Sequence, residues 1–293
     1  MNKKSVIIDT DIGADADDAF ALSLALNSPE LDIKAILTND RYSDIRAKIA
    51  KKLVSIKERD IMIFEGLSDG SGKVVEKTVL EESFTPKKLI NNLDFFRNLA
   101  GQEIYYISIG NLSNISYLVN KIPEIKRRFK FIIMGGSINL DYNGKNNKIA
   151  EWNIKNNIPA SREVIGCGAD ITLVPLDATY NLELDEETLL KFEKSKNQIC
   201  NYLYIMVRNL QKFLFEKYNL TKNIVFHDPL VLALAINSDF CAYKLNRLEV
   251  NEEGKLIESE KGKKIKVAIK TDKEKFFAFL LERLLKNGGN KSE

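Results

Sequence analysis

Five aspartates lie within ten residues near the start of the chain, directly after a short apolar run. They are Asp9, Asp11, Asp15, Asp17 and Asp18. Carboxylates this close repel one another unless a positive charge lies among them. A hard divalent cation, Ca²⁺ or Mg²⁺, is the simplest source of that charge because every candidate ligand is an oxygen atom. A helix N-terminus would explain only the last two aspartates, so the segment indicates a metal centre or a polar active site.

Further groups suited to binding or catalysis occur later in the chain. Glu151, Trp152 and Asn153 place a carboxylate, an indole and an amide in consecutive positions, which suits the hydroxyls of a polyol. His227, the only histidine, precedes Asp228 at the predicted start of a helix, and an imidazole exchanges protons readily near neutral pH. Simpler interpretations are a surface strand with a packed tryptophan and a structural histidine.

Two loops that follow predicted strands also have polar or flexible character. Met134 is followed by two glycines and a serine, so the backbone can approach a ligand closely there. The segment at residues 110–114 reads Gly-Asn-Leu-Ser-Asn, in which Asn111 or Ser113 could cap the next helix. Two polar loops, residues 66–72 and 139–148, also follow predicted strands, and both could hang over the same rim.

The elements that must position these groups alternate between short β-rich runs and helical patterns. This alternation predicts βα units around a mostly parallel sheet, with ligands at the carboxyl ends of the strands. The predicted strands are 5–8, 33–37, 61–64, 104–109, 129–134 and 171–174. The predicted helices are 17–27, 43–56, 86–99, 112–120, 159–167, 184–196, 199–218 and 229–236.

The C-terminal part changes character. Residues 243–250, 255–258 and 264–269 are predicted as antiparallel strands, followed by a helix over 272–285. We find no convincing linker, so residues 1–293 are expected to form one domain. The expected fold class is α/β, an open mixed sheet flanked by helices with a small antiparallel extension.

Composition limits the possible partners. Lysine and arginine total 44 against 41 acidic residues, a net charge of +3, which gives no support for nucleic acid or an anionic membrane as partner. The basic stretch at residues 46–52 is interpreted as a solvated helix face. Three widely spaced cysteines fit free thiols in a reducing cytosol. The apolar run before Asp9 is too short for a signal peptide or a membrane span, so a cytoplasmic protein is expected.

Together these segments resemble the nucleoside hydrolases, the inosine-uridine-preferring N-ribohydrolase family. The family signature Asp-Thr-Asp-Pro-Gly-x-Asp-Asp-Ala is similar to residues 9–13 and 17–19. Its Gly-Pro-Leu-Thr-Asn, Met-Gly-Gly, Glu-Phe-Asn, Leu-Asp-x-Thr and His-Asp-Pro elements resemble residues 110–114, 134–136, 151–153, 176–179 and 227–229. The elements occur in the family's order from about Val6 to the C-terminal helix.

The resemblance implies a Ca²⁺ ion at the bottom of a ribose pocket. The implied ligands are the side chains of Asp11, Asp18 and Asp228 and the main-chain carbonyl of Ile109. Asp11 would also act as general base on the metal-bound water. His227 would stand near the leaving base, and Asp9 would orient the ligands.

The remaining implied roles concern the substrate, a ribonucleoside that is split into free base and ribose. Asp17 and Asn153 would hold the 2′- and 3′-hydroxyls, and Glu151 the 3′- or 5′-hydroxyl side of the sugar. The further substrate-binding candidates are Asp15, Asn39, Met134 and Trp152. A carboxylate-rich floor favours the oxocarbenium character that develops when the glycosidic bond breaks. The resemblance also implies a homodimer or homotetramer.

The sequence departs from the family pattern in the first signature and after the second strand. Two residues are added in the signature, so Asp15 could take the place of one member of the following aspartate pair; we favour Asp17 and Asp18 because they run directly into the helix. Thr-Asn-Asp replaces the usual Ala-Gly-Asn, so Asn39 or Asp40 must fill that position.

Two further departures affect the base and the 5′-hydroxyl. The family's His-Gly-x-x-Gly element is missing between Gly66 and Phe84, and the chain has no second histidine to replace it. The loop before Glu151 is longer than usual. Three asparagines could reach the 5′-hydroxyl from it, and these are Asn143, Asn146 and Asn147. The base preference is therefore left open.

Other functions account for fewer of these residues. An Asp-x-Asp phosphotransferase of the haloacid dehalogenase type would leave the Glu151 and His227 segments without a purpose. A non-catalytic nucleoside- or ribose-binding protein would use the same ribose contacts, and a hydrolase could act on a non-standard riboside. Loss of turnover on replacement of His227 distinguishes an enzyme from a binding protein.

Overall fold

The computed structural model describes residues 3–76, 78 and 80–286, and within them ten strands form one sheet. The strands are Lys4–Thr10 (β1), Leu31–Thr38 (β2), Met62–Glu65 (β3), Lys87–Lys88 (β4), Ile104–Ser108 (β5), Phe129–Met134 (β6), Asp170–Val174 (β7), Cys241–Val250 (β8), Leu256–Glu258 (β9) and Lys263–Thr271 (β10). Their order across the sheet is β4-β3-β2-β1-β5-β6-β7-β10-β8-β9.

The helices lie between these strands along the chain, except the last one, which follows β10. They are Asp17–Leu26 (α1), Ser43–Ile56 (α2), Leu93–Leu99 (α3), Ser113–Lys121 (α4), Ile125–Arg128 (α5), Trp152–Lys155 (α6), Ile158–Gly166 (α7), Leu176–Thr179 (α8), Glu186–Glu193 (α9), Gln198–Tyr218 (α10), His227–Ile236 (α11) and Lys273–Leu285 (α12). The short helices α5, α6 and α8 were not among the elements predicted from the sequence.

The sheet is parallel from β4 to β7 and continues into the C-terminal strands. β10 pairs in parallel with β7 and antiparallel with β8, which in turn pairs antiparallel with β9. The mixed sheet with a C-terminal antiparallel extension is therefore confirmed. The extension is not a separate layer, because β10 adds directly to the edge of the parallel strands.

Helices cover both faces of the sheet, so the central strands are buried on both sides. Alternate residues of β1 face opposite cores: Val6 and Ile8 face one, and Ile7 faces the other. In the first core, Phe20 of α1 packs against Phe226 just before α11, with ring centroids 4.8 Å apart. This packing brings the first turns of α1 and α11 together at the carboxyl edge of the sheet.

The helix predicted over residues 86–99 is wrong in its first half. Lys87 and Lys88 instead pair with Phe64 and Glu65 of β3, and α3 begins only at Leu93 after a short 3₁₀ turn. Pairing to the free edge of β3 is a contact between distant segments, which the local apolar pattern does not contain.

Among the described residues, none of the helices combines the length and the apolar character that a membrane span requires. All three cysteines are described, and all three are free thiols, as the sequence predicted.

Candidate active site

A cavity of about 180 Å³ opens at the carboxyl edge of the parallel strands. Asp11 follows β1, Ile109 follows β5 and Met134 ends β6, so three neighbouring strands end in its wall. The residues predicted to bind metal, to bind substrate or to act in catalysis line this cavity, except Asn39 and the three loop asparagines. Such placement is expected of a ligand site in an open α/β sheet.

Three carboxylates converge at the cavity floor. Oxygen atoms of Asp17, Asp18 and Asp228 all lie within 4.8 Å of one another, and the three side chains are buried. The main-chain N–H of Asp228 donates to the Asp17 carboxylate at 3.2 Å, and the hydroxyl of Thr10 donates to Asp18. The cluster thus combines the first turn of α1 with that of α11.

The electrostatics of this cluster favour a bound cation. Burial, followed by repulsion from neighbouring carboxylates, raises the pKa of Asp17, Asp18 and Asp228 well above the ordinary aspartate value. A carboxylate in such a place either holds a proton or needs a positive partner. The donors are all oxygen atoms, buried and convergent, so they fit a hard divalent cation.

Asp11 lines the same cavity but lies outside the group of three. Burial raises the pKa of Asp11 to about 6, while the positive charge of Arg46 opposes the increase. A cation bound among these carboxylates would lower this pKa again. The position of Asp11 beside the cluster is therefore what suits a general base.

Asp9 lies beneath the cavity as a fully buried hydrogen-bond acceptor. Its carboxylate accepts from the Tyr106 hydroxyl at 2.7 Å, from Asn39 Nδ2 at 2.7 Å and from Asn114 Nδ2 at 2.9 Å. Burial raises the pKa of Asp9 to about 7, and these hydrogen bonds oppose the increase. Asn39 therefore lies below the cavity wall, and its predicted contact with substrate stays a prediction.

Glu151 is placed by its own hydrogen bonds at the start of α6. Its carboxylate accepts from the main-chain N–H of Asn153 at 2.9 Å and of Gly136 at 2.8 Å. Asn153 Nδ2 donates to the carbonyl of Met134 at 3.3 Å. A β-carbon on Gly136 would lie 2.0 Å from a methyl carbon of Leu256. The packing of this turn against the C-terminal extension therefore favours glycine here, whether or not a ligand approaches the backbone.

His227 is held in the wall by Thr179. Its Nδ1 lies 2.7 Å from the threonine hydroxyl, and its ring makes an edge contact with Tyr142 at a centroid distance of 5.9 Å. Burial lowers the pKa of His227 to about 3, with a smaller contribution from Lys222. The imidazole is therefore neutral near pH 7, and Nε2 is the nitrogen that the bond to Thr179 leaves for a ligand.

The rim of the cavity contains residues that sequence reasoning missed. Tyr142 and Lys222 line it, although neither was predicted. The loop that carries Tyr142 was expected to overhang the rim, but its three asparagines are exposed and do not line the cavity. Trp152 is 44 % exposed, and Asp15 is also exposed at the rim. Because Asp15 points to solvent, Asp17 and Asp18 are the two signature aspartates that converge with Asp228.

The basic stretch at residues 46–52 is not solvated throughout, as the sequence suggested. Arg46 is 0 % exposed, and its guanidinium donates to the main-chain carbonyl of Asp11. A run of lysines and arginines on an amphipathic helix does not identify which member turns inward. This interpretation was wrong for Arg46.

Comparison with known proteins decides the family. Residues 6–278 match the model of the inosine-uridine preferring nucleoside hydrolases. The chain belongs to this family. It is an N-glycosyl hydrolase, and the reaction class is hydrolysis of the N-glycosidic bond of ribonucleosides. The resemblance drawn from the ordered motifs is thereby confirmed.

Individual relatives of this nucleoside hydrolase are moderately similar over most of their length. The Arabidopsis thaliana protein "Probable uridine nucleosidase 2" is 27% identical over 274 residues, which cover 86% of this chain and 84% of the relative. The pyrimidine-specific ribonucleoside hydrolase RihA of Salmonella paratyphi C is 26% identical and covers 85% of each chain.

Solved structures show the same architecture. The plant nucleoside hydrolase PpNRh1 superposes with a TM-score of 0.79 at 26% identity, covering 97% of this chain and 99% of the other. The purine-preferring ribonucleoside hydrolase of Gardnerella vaginalis superposes with a TM-score of 0.82 at 22% identity, covering 96% and 98%. At that identity the second comparison shows the fold alone.

Proposed function

We propose that this protein hydrolyses ribonucleosides in a Ca²⁺-dependent reaction, with Asp11 as the general base. One observation carries the proposal: three buried carboxylates converge within 4.8 Å on the floor of a cavity that Asp11 and His227 also line. A ribose-binding protein has no need of a proton acceptor and an imidazole in the same cavity. Catalysis needs both groups.

The cation would be held by Asp18 and Asp228 of this cluster, by Asp11, which lies outside the cluster but lines the same cavity, and by the carbonyl of Ile109. Asp17, the third member of the cluster, would face the ribose. Calcium suits this set because it accepts many oxygen ligands in irregular geometry, whereas magnesium demands near-ideal octahedral geometry and keeps several waters. When bound, the ion supplies a positive charge that makes a neighbouring water a stronger acid. Asp11 then needs only modest basicity.

The protein's own groups do the remaining work. Asp11 takes a proton from the water that attacks the sugar. Asp17 and Asn153 bind the ribose hydroxyls, and Glu151 fixes the segment that carries Asn153 through its bonds to main-chain N–H groups. The acidic floor stabilises the positive charge that develops on the ribose as the bond to the base breaks.

The departing base needs a hydrogen bond or a proton. His227 supplies the hydrogen bond from the Nε2–H of its neutral imidazole, with Nδ1 accepting from the Thr179 hydroxyl. Trp152 offers an exposed aromatic face at the rim against which a base can stack. These roles place the base at the rim and the ribose at the floor.

Ribose release tests the proposal. A reducing-sugar assay on uridine, cytidine, inosine, guanosine and adenosine, with and without chelator, is expected to show release that chelator abolishes and calcium restores. Uridine is the first substrate to try because the two sequence relatives are named for uridine and pyrimidine ribonucleosides. Release that chelator leaves unchanged would contradict the metal dependence. Tight nucleoside binding without any release would favour a binding protein.

The one-domain organisation of residues 1–293 and a homodimeric or homotetrameric state stay proposals that rest on the family resemblance. Light scattering coupled to size-exclusion chromatography measures the number of chains in the particle.

A further inference from the structure

We propose that Arg46 is a positioning residue of the active site, which fixes the main chain of Asp11 so that its carboxylate faces the cavity. The inference rests on the proposed function, in which Asp11 binds the cation and accepts a proton. Arg46 itself does not line the cavity. It acts through the backbone, from the opposite side of the loop that carries Asp11.

The guanidinium of Arg46 is completely buried, and all three of its nitrogens donate hydrogen bonds. Nη1 donates to the carbonyls of Asp11 and Ile12, the second at 3.1 Å. Nε donates to the carbonyl of Arg41 at 2.9 Å, and Nη2 to that of Lys73 at 3.4 Å. One side chain of α2 therefore joins three segments: the signature loop, the turn after β2 and the segment after β3.

Asp40 provides the counter-charge for this buried cation. Its Oδ2 lies 3.5 Å from Nη2 of Arg46, and its Oδ1 accepts from the main-chain N–H of Arg41 at 2.7 Å and of Gly72 at 3.0 Å. A β-carbon on Gly70 would lie 1.7 Å from Oδ1 of Asp40, and one on Gly72 would lie 1.8 Å from Oδ2. The Asp40 carboxylate thus fills the space that a side chain would need at either position, so both residues are glycine.

This arrangement explains two departures from the family pattern together. Asp40 stands where the family has its Ala-Gly-Asn element, and residues 70–72 lie where its His-Gly-x-x-Gly element is missing. In this chain the two altered segments contact each other through Asp40. The segment after β3 also contacts the signature loop directly. The main-chain N–H groups of Val75 and Glu76 donate hydrogen bonds to the carbonyl of Gly13 at 2.7 and 3.1 Å.

The turn that carries Asp40 is strained. Asp40 and Tyr42 have φ of +65° and +66°, in the left-handed region that residues other than glycine seldom adopt. Strain of this kind persists only where surrounding contacts hold the backbone in place, and it is concentrated at functional sites. Here the contacts of Arg46 with Asp40 and with the Arg41 carbonyl hold the turn.

Only an arginine can make this set of contacts. Its planar guanidinium presents five donors in a fixed fork, whereas a lysine offers one compact ammonium on a flexible stem. A shift of about 1 Å in a catalytic group can cost about 100-fold in rate. Loss of the fork should therefore reduce turnover, even though Arg46 does not touch the substrate.

The experiment compares Arg46→Met with Arg46→Met/Asp40→Asn. Arg46→Met is expected to lower kcat about 100-fold at saturating calcium, with a smaller change in KM. It should also weaken calcium binding about tenfold, measured by competition with a chelator, and lower Tm because Asp40 is left buried and unpaired. Adding Asp40→Asn removes that unpaired charge, so Tm should recover while kcat stays low. Recovery of kcat together with Tm would overturn the proposal.

Three further variants make the result specific. Arg46→Lys keeps the charge without the fork, so its kcat should also stay low; wild-type kcat in this variant would contradict the proposal. Phe96→Leu, in the other core layer, is the control for general destabilisation, and it should lose Tm but keep kcat. An equal loss of kcat there would overturn the role of Arg46.

The variant Asp11→Asn distinguishes a failure of the proposed function from a failure of the positioning role. Wild-type kcat and calcium affinity in Asp11→Asn would refute the function proposed for Asp11 itself. A defective Asp11→Asn beside an unimpaired Arg46→Met would refute only the positioning role.

Discussion

The main-chain N–H of Asp228 donates a hydrogen bond to the carboxylate of Asp17 at 3.2 Å, across 211 residues of sequence. This bond joins the first turns of α1 and α11 and faces both aspartates into the same cavity. The acidic cluster is therefore assembled by the packing of two helices. Its integrity depends on both segments, which makes each of them a target for mutation.

Replacing Asp228 with alanine should remove one proposed ligand and a charge that no neighbouring group can replace. We expect turnover to fall by more than about 100-fold, since even residues that only support a metal ligand commonly cost about 10- to 100-fold. Calcium affinity, measured by isothermal titration calorimetry, should fall in parallel. Near-normal turnover in Asp228→Ala would contradict the ligand assignment.

Asp15→Asn is the matched control within the signature loop. Asp15 is exposed at the rim, so this variant should keep the calcium affinity of the wild type, whereas Asp18→Asn should lose it. The opposite result would show that Asp15 takes the position we assign to the following aspartate pair. Calorimetry on the two variants in the same buffer shows which aspartate binds the cation.

The stability of the metal-free protein should depend on pH in a defined direction. Burial raises the pKa of Asp17, Asp18 and Asp228, so the folded state holds more protons than the unfolded state above the ordinary aspartate pKa of about 4. The free energy of unfolding must then fall as pH rises through that window. Calcium binds the deprotonated folded site, so it should raise Tm more at pH 8 than at pH 5.

Differential scanning fluorimetry with and without calcium at several pH values measures this effect. A calcium-induced increase in Tm that is larger at pH 5 than at pH 8 would contradict binding of the cation to the deprotonated form of this cluster, which includes the proposed ligands Asp18 and Asp228. Magnesium, added in the same series, shows whether the increase is specific for calcium.

His227→Ala tests whether the imidazole assists the departing base. Loss of one hydrogen-bond donor to a charge that develops in the transition state costs about 100- to 1,000-fold, so kcat for a nucleoside should fall within that range. A 4-nitrophenolate leaving group is stable as an anion without this hydrogen bond, so hydrolysis of the corresponding riboside should be little changed. Thr179→Val, which removes the partner of Nδ1, should give a smaller loss with the same selectivity. An equal loss on both substrates would contradict this role.

Trp152 provides a direct signal for binding because it is the only tryptophan of the chain and lines the cavity. Tryptophan emission should change when a nucleoside or free ribose binds, and the change should saturate. Trp152→Phe should abolish the signal. A Trp152→Ala variant should raise KM more than it lowers kcat, because it removes an aromatic surface for the base. Unchanged emission at saturating nucleoside would contradict the placement of the base at the rim.

The central strands and the order of the motifs could be predicted because their signals are local. An apolar run that ends on Asp9 identifies β1, and Asp17 and Asp18 at the start of an apolar helix identify α1. Parallel strands place their carboxyl ends at one edge, so the cavity residues follow from topology. Glu151 and Asn153 could also be predicted from a local signal, the carboxylate, indole and amide in consecutive positions.

The residues that were missed take part in contacts between distant segments. Arg46 belongs to a basic stretch that looks solvated, and its burial depends on Asp40 and on the carbonyls of the signature loop. Tyr142 lies in a polar loop whose asparagines looked more suitable than its tyrosine. Lys87 and Lys88 pair with β3 only because that edge of the sheet is free. None of these partners can be read from a local pattern.

The most direct test of the account is turnover as a function of bound calcium. Protein stripped with chelator is titrated with calcium, and ribose release and bound metal are measured on the same samples. We expect no release without metal, an increase in proportion to occupancy, and a plateau at one ion per chain. Full turnover in protein that contains no bound metal, or a plateau unrelated to occupancy, would contradict it.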